Sequence, residues 1–425
     1  MTFFIRGIML KIIRENPDLV KQNIINKNES ATVDPILELD EKRRAIIQEA
    51  DQLKNTRNVV SKEISQLKRN KEDASEKINA MKEVSDKIKS LDEDLKQTEE
   101  EMQEHLIRIP NMLHLSVPIG KSAEDNIEIR RWGTPGKTEK NHIELANSLG
   151  ILDFERATKI SGSGFAAYIG KGATLERALL SFMIDLHIIN HGYTEIFTPM
   201  IVNKQSMTGT GQIPKLADDM YHVEKDDFYL IPTSEVPITN FYSNEMLKPE
   251  LLPIKLCGYS ACFRREAGSY GKETRGLLRL HQFNKVEMVK FSLPEDSYKE
   301  LELLVSDAEA VLKALELPYR VILLASGDTS FSSAKTYDLE VWSPAEENWL
   351  EVSSCSNFEA FQAKRANIRF KRTPQDKPEF VHTLNGSGLA TSRLMVAILE
   401  HYQTPEGKVI IPDALRPYCK FDVIG

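Results

Sequence analysis

From residue 36 to residue 109 the chain contains neither glycine nor proline, and a stretch of that length without a backbone breaker is set up for long helices. The apolar residues say how those helices are used. Ile36, Leu39, Arg43, Ile46, Ala50, Leu53, Arg57, Val60, Ile64 and Leu67 follow one another in steps of three and four, and eight of the ten are apolar. That is the seam of a coiled coil. After the polar break RNKEDAS a second seam runs through Met81, Val84, Ile88, Leu91, Leu95, Thr98, Met102 and His105. The two helices are therefore predicted to fold back on each other as an antiparallel pair. At 1.5 Å per residue each would extend roughly 50 Å.

Charge is divided unevenly along this hairpin. Residues 36–71 hold nine Lys or Arg against six Asp or Glu, whereas residues 72–109 hold six against twelve. The outgoing helix and its tip, with Lys62, Lys68, Arg69 and Lys71, form the basic side. Two readings stand: a solvated coiled-coil surface, or an arm that grips a polyanion. The net charge of the whole chain, -8, argues against broad, non-specific coating of nucleic acid, so no DNA partner is expected and an RNA partner needs a local basic patch.

With 425 residues, 28% charged and 41% apolar, the chain has room for two or three domains of ordinary globular composition. Its densest apolar run, residues 321–325, is far short of the roughly 18 residues a membrane span needs. The N-terminal MTFFIRGIMLKIIREN has no uninterrupted apolar core and no small-residue cleavage site. A cytoplasmic protein is expected. Cys257, Cys262, Cys355 and Cys419 form no CxxC pair and have no histidine spaced to complete a zinc site, so they read as free thiols and zinc is not expected.

Around Pro110 the pattern changes. NMLHLSVPIGKSAEDNIEIRRWGTPG is rich in Pro, Gly and polar residues and reads as a linker over residues 111–135. Beyond it, LERALLSFMIDLHIINHG and residues 297–316 have helical spacing, while GYTEIFTPMIV, FYLIPTSEVPI, FNKVEMVKFS, YDLEVWSP and NWLEVSSCS read as strands. Regular βαβ alternation is missing. The fold class is α+β: a two-helix coiled-coil arm, then a mainly antiparallel sheet flanked by helices.

Within that second half, CFRREAGSYGKETRGLLRLHQF places Arg264 and Glu266 two apart, passes through a glycine-dotted loop, and returns with Arg279, His281 and Phe283 at the same spacing. Two is the strand period, so the segment reads as a hairpin with a charged face on each strand. Such a face is either solvated or surrounds a charged ligand, because buried charges need partners. Near the end, HTLNGSGLATSRLMVAILEHYQ sets Asn385, Gly386, Ser387 and Gly388 before a helix starting at Leu389, a plausible anion site with Arg393 one turn inside. In NWLEVSSCSNF, Glu351 and Ser354 suit hard oxygen coordination of Mg²⁺. Together these are the residue types that ATP requires, with Arg264 and Arg393 for phosphates and Phe283 to stack a base. No GxxxxGK[ST] sequence occurs, so the nucleotide site is of another kind.

In their order, YTEIFTP, FRRE through to RLHQF, and GSGLATSR resemble the three motifs of class II aminoacyl-tRNA synthetases. With the N-terminal hairpin, TSE and HQFNKVEM, the chain resembles bacterial-type seryl-tRNA synthetases from Met9 onward. The resemblance implies an extension at residues 1–8, a tRNA-binding domain at 9–110 whose hairpin spans about 34–109, the linker, and a catalytic domain at 136–425. It implies ATP contacts from Arg264, Arg265, Glu266, Leu280, His281, Gln282, Phe283, Glu351, Val352, Ser353, Ser354 and Arg393, with Mg²⁺ on Glu351 and Ser354. Arg264 and Arg393 would be catalytic through the phosphates.

For L-serine it implies Thr233, Ser234 and Glu235 near the amino group, Arg279 on the carboxylate, and Glu287 and Ser387 on the hydroxyl, with Asn385 beside them. A site built to hydrogen-bond a hydroxyl rejects an analogue lacking it by roughly 10⁴–10⁵. The activity implied is formation of seryl-adenylate, then transfer of serine to tRNA(Ser), and to tRNA(Sec), by a homodimer joined around Pro199. The arm would then meet the long variable arm of that tRNA.

Overall fold

The computed structural model describes residues 2–267 and 275–425, with side chains described from Met9 onward. The chain divides into two compact units, one made of residues 2–25 and 29–110 and the other of residues 26–28 and 111–425.

In the first unit two shorter helices, α1 (Thr2–Glu15) and α2 (Pro17–Asn26), precede the long pair α3 (Asp34–Arg69) and α4 (Ser75–Leu106). Pro35 in the first turn of α3 suits a position where its missing N–H removes no helix bond. The seam expected from spacing is the buried stripe: Ile36, Ile46 and Ala50 on α3 and Ile88, Leu91 and Met102 on α4 are buried, with Ile46, Ala50 and Leu91 in one apolar cluster, while most of the intervening polar residues are exposed. Ion pairs lace the two helices in antiparallel register, Arg43 with Glu99 and Lys54 with Asp92 at 3.1 Å, and Lys77 with Glu63 at 2.5 Å. Toward the tip the seam residues Val60, Ile64, Leu67, Met81 and Val84 are only half-buried. Lys62, Lys68, Arg69 and Lys71 there are exposed, and among the described residues none of the four has an ion-pair partner. Two polar residues interrupt the apolar stripe: Thr98 of α4 is buried, and buried Asp40 of α3 accepts from Arg14 Nε and Nη2 at 2.5 Å each.

The second unit is built on an eight-stranded sheet: β1 (Ile127–Trp132), β2 (Thr194–Glu195), β3 (Ile254–Phe263), β4 (Gln282–Ser292), β5 (Tyr319–Leu323), β6 (Lys335–Ser343), β7 (Asn348–Glu359) and β8 (His382–Ala390). Their spatial order is β1-β5-β6-β7-β8-β4-β3-β2, antiparallel except where β2 runs parallel to β3. One face is packed by the helices Lys171–His191 and Ser297–Ala314. Leu175, Leu179 and Met183 from the first and Leu301, Leu304 and Ala308 from the second meet Val286 and Met288 of β4 in a single apolar core. All four cysteines are free and buried; burial pushes the Cys355 thiol up to about 12. Among the described residues no helix is long and apolar enough to cross a membrane.

Four sequence expectations are corrected by these elements. Residues 127–132, expected within the linker, form the edge strand β1, whose side chains are exposed on both faces and so carry no inside-outside alternation to read. FYLIPTSEVPI is not one strand: Phe228–Leu230 is, but the chain then turns into the short helix Glu235–Asn240. Arg264 and Glu266 lie beyond the end of β3, and Arg279 and His281 lie before the start of β4, so the spacing of two there does not reflect shared strand faces. Finally, Asn385–Gly388 do not lead into a helix N-terminus. They are the middle of β8, their backbone held by β4 and β7, and the helix begins only at Thr391.

The glycine at 388 has a packing reason. β8 carries one extra residue there, between the pairs Val286–Leu389 and Glu287–Ser387, and a Cβ on Gly388 would sit 2.7 Å from Nε2 of buried His187. Gly388→Ala is expected to destabilise the fold by about 1–3 kcal/mol through this overpacking, and His187→Ala in the same chain to recover most of the loss. Chemical denaturation of the single and double variants checks both.

Candidate functional site

The register of three neighbouring strands assembles a polar cluster on the sheet face opposite the helical core. Glu287 of β4 lies directly opposite Ser387 of β8, and Ser353 of β7 donates its hydroxyl to the Ser387 carbonyl at 2.7 Å. Glu287 is fully buried and held through both oxygens. Its Oε1 accepts from Asn385 Nδ2 at 3.0 Å, its Oε2 accepts from Thr233 Oγ1 at 3.1 Å, and Lys285 Nζ pairs with Oε2 at 2.5 Å. Lys285 also donates to Thr233 Oγ1 at 2.8 Å. Lys285 was missed in the sequence, although its spacing of two from both Phe283 and Glu287 in HQFNKVEM puts it on their face of β4.

Glu235 begins the short helix after Thr233, and its backbone N–H donates to Thr233 Oγ1 at 3.2 Å. Burial, with the nearby charge of Glu287, pushes its carboxyl up to about 7, while the Gln362 amide, Lys285 and Arg264 pull the other way. Ser234 is adjacent but turned elsewhere: its hydroxyl donates to Ser260 Oγ at 2.5 Å. Arg264 joins this neighbourhood from the end of β3. Its guanidinium lies 5.2 Å from the centre of the Phe283 ring, and Nε donates to the Pro232 carbonyl at 3.3 Å.

A second group gathers around the helix Thr391–His401. Arg393 Nη1 donates to the Glu351 carbonyl at 2.7 Å and to Glu351 Oε2 at 3.4 Å, and Nε donates to the Leu278 carbonyl at 3.3 Å. Ser354 faces Asp338 across the β6–β7 ladder, and the ladder shifts register just beyond, placing Glu351 opposite Glu340. Asp338 was also missed in the sequence. Its Oδ1 is buried without a hydrogen-bond partner among the described residues, and burial together with Glu351 holds its carboxyl well above the usual range, against a hydrogen bond from Ser354. Two carboxylates forced together beside a hydroxyl, one with an orphaned oxygen, fit a hard divalent cation. No three His, Cys, Asp or Glu among the described residues gather as a metal cluster.

The remaining expected residues scatter. Arg279 is paired with Glu266 at 3.0 Å, so the two are joined to each other. The His281 ring hydrogen-bonds the Arg264 carbonyl at 3.0 Å and packs beside Gly164, bracing the hairpin ends. Leu280 points into the core, Val352 is buried in the β7 bulge, and Arg265 and Gln282 are exposed. The loop glycines and serine at 268–271 fall outside the described residues.

Comparison with known proteins places this arrangement. Residues 8–113 match the model of the seryl-tRNA synthetase N-terminal domain, and residues 220–402 that of the tRNA synthetase class II core domain (G, H, P, S and T). The serine–tRNA ligase of Chloroherpeton thalassium is 58% identical, with 98% of this chain and 99% of that protein covered, and that of Heliobacterium modesticaldum is 57% identical over the same shares. Among solved structures, seryl-tRNA synthetase from Pyrococcus horikoshii complexed with ATP superposes with a TM-score of 0.92 at 38% identity, covering 98% of each chain. The cytoplasmic serine–tRNA ligase of Naegleria fowleri in complex with AMP gives 0.85 at 32% identity, covering 96% of this chain and 95% of that one. The chain belongs to the seryl-tRNA synthetase family, and is thus an ATP-dependent class II aminoacyl-tRNA synthetase that joins serine to tRNA.

Proposed function

We propose that this ligase runs both its steps over the sheet face that carries Glu287. In the first, L-serine and ATP give seryl-adenylate and pyrophosphate; in the second, serine passes to the 3′ end of tRNA(Ser), and of tRNA(Sec) by the same route. The observation that carries the reading is the buried Glu287 cluster. The carboxylate is held rigidly, Oε2 by Thr233 and Lys285 and Oε1 by Asn385; Oε1 keeps a second lone pair, and a ligand hydroxyl that donates to it beside Ser387 would be distinguished from a methyl group by the cost of leaving that buried acceptor unpaired.

Within this reading Glu235 accepts the substrate ammonium with Thr233 beside it, and Arg279 exchanges its Glu266 partner for the substrate carboxylate. The carboxylate is itself a competent nucleophile, so the protein's task is to align it with the α-phosphorus and stabilise the charge that develops. Arg264, braced by Phe283 and the Pro232 carbonyl, serves the α-phosphate, while Glu266 and Phe283 receive the adenine. Arg393, braced by Glu351, serves the terminal phosphates. Arg265, His281, Gln282, Val352 and Ser353 complete the nucleotide wall, Arg265 and Gln282 from exposed positions and the others mostly through backbone. Glu351 and Ser354, joined by Asp338, would hold Mg²⁺, which supplies positive charge to neutralise the phosphates.

The basic tip of α3, where Lys62, Lys68 and Arg69 are exposed with no ion-pair partner among the described residues, supports tRNA contact through phosphates and shape. Exposed Phe197 and Ile201 flanking Pro199, with the Tyr259 ring tilted against Phe197 at 5.7 Å between centroids, support a homodimer through that segment. A cytoplasmic location and division into tRNA-binding residues 9–110, a connecting stretch and a catalytic domain complete the proposal.

The test is amino-acid-dependent exchange of labelled pyrophosphate into ATP, with serine run against alanine, threonine and glycine. Exchange is expected with serine alone at moderate concentrations. Comparable exchange with alanine would sink the reading of Glu287 and Ser387 as hydroxyl-selecting groups.

A further inference from the structure

Glu235 is buried and reaches Gln362, which is buried on the helix Phe361–Ala366. Gln362 Nε2 donates to Glu235 Oε1 at 2.6 Å and also faces the Thr210 carbonyl at 3.4 Å, while its Oε1 accepts from Thr383 Oγ1 at 2.8 Å. The direction of this amide is determined. A flipped amide would set its oxygen against a carboxylate and a carbonyl, neither of which can donate. Four segments far apart in sequence thus converge to present one donor to one carboxylate.

We infer that Gln362 is a positioning residue for serine recognition, holding the Glu235 carboxylate aimed and charged for the substrate ammonium; the inference rests on the reading of Glu235 as the amino-group acceptor. A carboxylate this deeply buried keeps its charge only with donors or cations around it. From β4, Glu287 opposes the charge and Lys285 favours it; from the end of β3, Arg264 favours it; from the helix Phe361–Ala366, Gln362 is the hydrogen-bond donor. Removing the donor favours the protonated form. The Glu235 carboxyl, already pushed up to about 7, then moves higher, and serine recognition by the ionised form is lost at a higher pH than before. Thr383 and the Thr210 carbonyl act one step further out, by fixing which end of the amide faces Glu235.

The test is pyrophosphate exchange by the full-length chain across pH, with serine and ATP varied separately. Gln362→Met keeps much of the length and removes the donor. It is expected to raise the serine KM about tenfold at pH 7 and to move the acid limb of kcat/KM for serine upward by about one pH unit, leaving the ATP KM unchanged. Gln362→Glu retains the shape, is expected to move the limb the same way, and serves if the methionine variant does not fold. An unmoved limb, or equal rises in both KM values, overturns the positioning role. Glu235→Gln separates the two levels. If it leaves the serine KM unchanged, the reading of Glu235 falls and the inference with it; if it raises the serine KM while neither Gln362 variant moves the limb, only the inference falls.

Discussion

Removing residues 58–76 is expected to leave serine-dependent pyrophosphate exchange within about twofold of the intact enzyme while lowering aminoacylation of tRNA by roughly 10³ or more, since phosphate contacts of this kind carry most of the affinity of a polyanion complex. The physical reason for the split is that the two activities draw on different parts of the chain. Lys62, Lys68, Arg69 and Lys71 are exposed at the tip with no internal partner among the described residues, whereas every residue assigned to serine or ATP lies between 233 and 393. The shortened hairpin retains the apolar cluster of Ile46, Ala50 and Leu91, and residues 77–84 remain to close the turn. Replacing the four basic side chains by glutamine is the milder form of the same test, and should flatten the salt dependence of tRNA binding by about one unit of slope per charge lost. Loss of exchange and aminoacylation in equal measure would show that the arm is not a tRNA-gripping device.

The second large effect is expected at Arg264. Arg264→Ala should lower the exchange rate at saturating serine by about 10²–10³, the size expected when a preorganised charge at a developing oxyanion is removed. The side chain's present contacts, the Phe283 ring and one backbone carbonyl, contribute little to stability, so the folded state should persist, as circular dichroism and denaturation would verify. Arg264→Lys restores the charge but neither the planar fork nor the stacking on Phe283, and should recover only part of the rate. Full activity in the alanine variant would remove Arg264 from the reaction. Arg393→Ala is a weaker probe, because it also unties Glu351 and the Leu278 carbonyl.

How far the site was legible differs from residue to residue. Glu287 could be found from its strand pattern and motif, and Lys285 could have been found by the same period of two. Gln362 could not: nothing local in FQAKRA distinguishes it from any glutamine on a short helix, and its role exists only because Thr210, Glu235 and Thr383 come to meet it. Asp338 is similar, an acidic residue in a strand whose isolation and proximity to Glu351 and Ser354 depend on the β6–β7 register. The charged hairpin was right in outline and wrong in detail. Spacing of two around 264–266 and 279–281 mimicked a strand where the chain had already left the sheet, since Glu266 takes a positive φ of 50° that no strand has.

The sequence alone determined the arm, because helix propensity and a seam repeating every three or four residues are local properties that adjacent turns read without outside help. It also determined the antiparallel character of the second unit and, through motif order, the family. Only the tertiary structure decided which charges meet. A buried carboxylate is defined by whatever crosses its few ångströms of low-dielectric space, and in a sheet of order β1-β5-β6-β7-β8-β4-β3-β2 those neighbours come from stretches up to about 150 residues apart, a separation at which sequence periodicity carries no information.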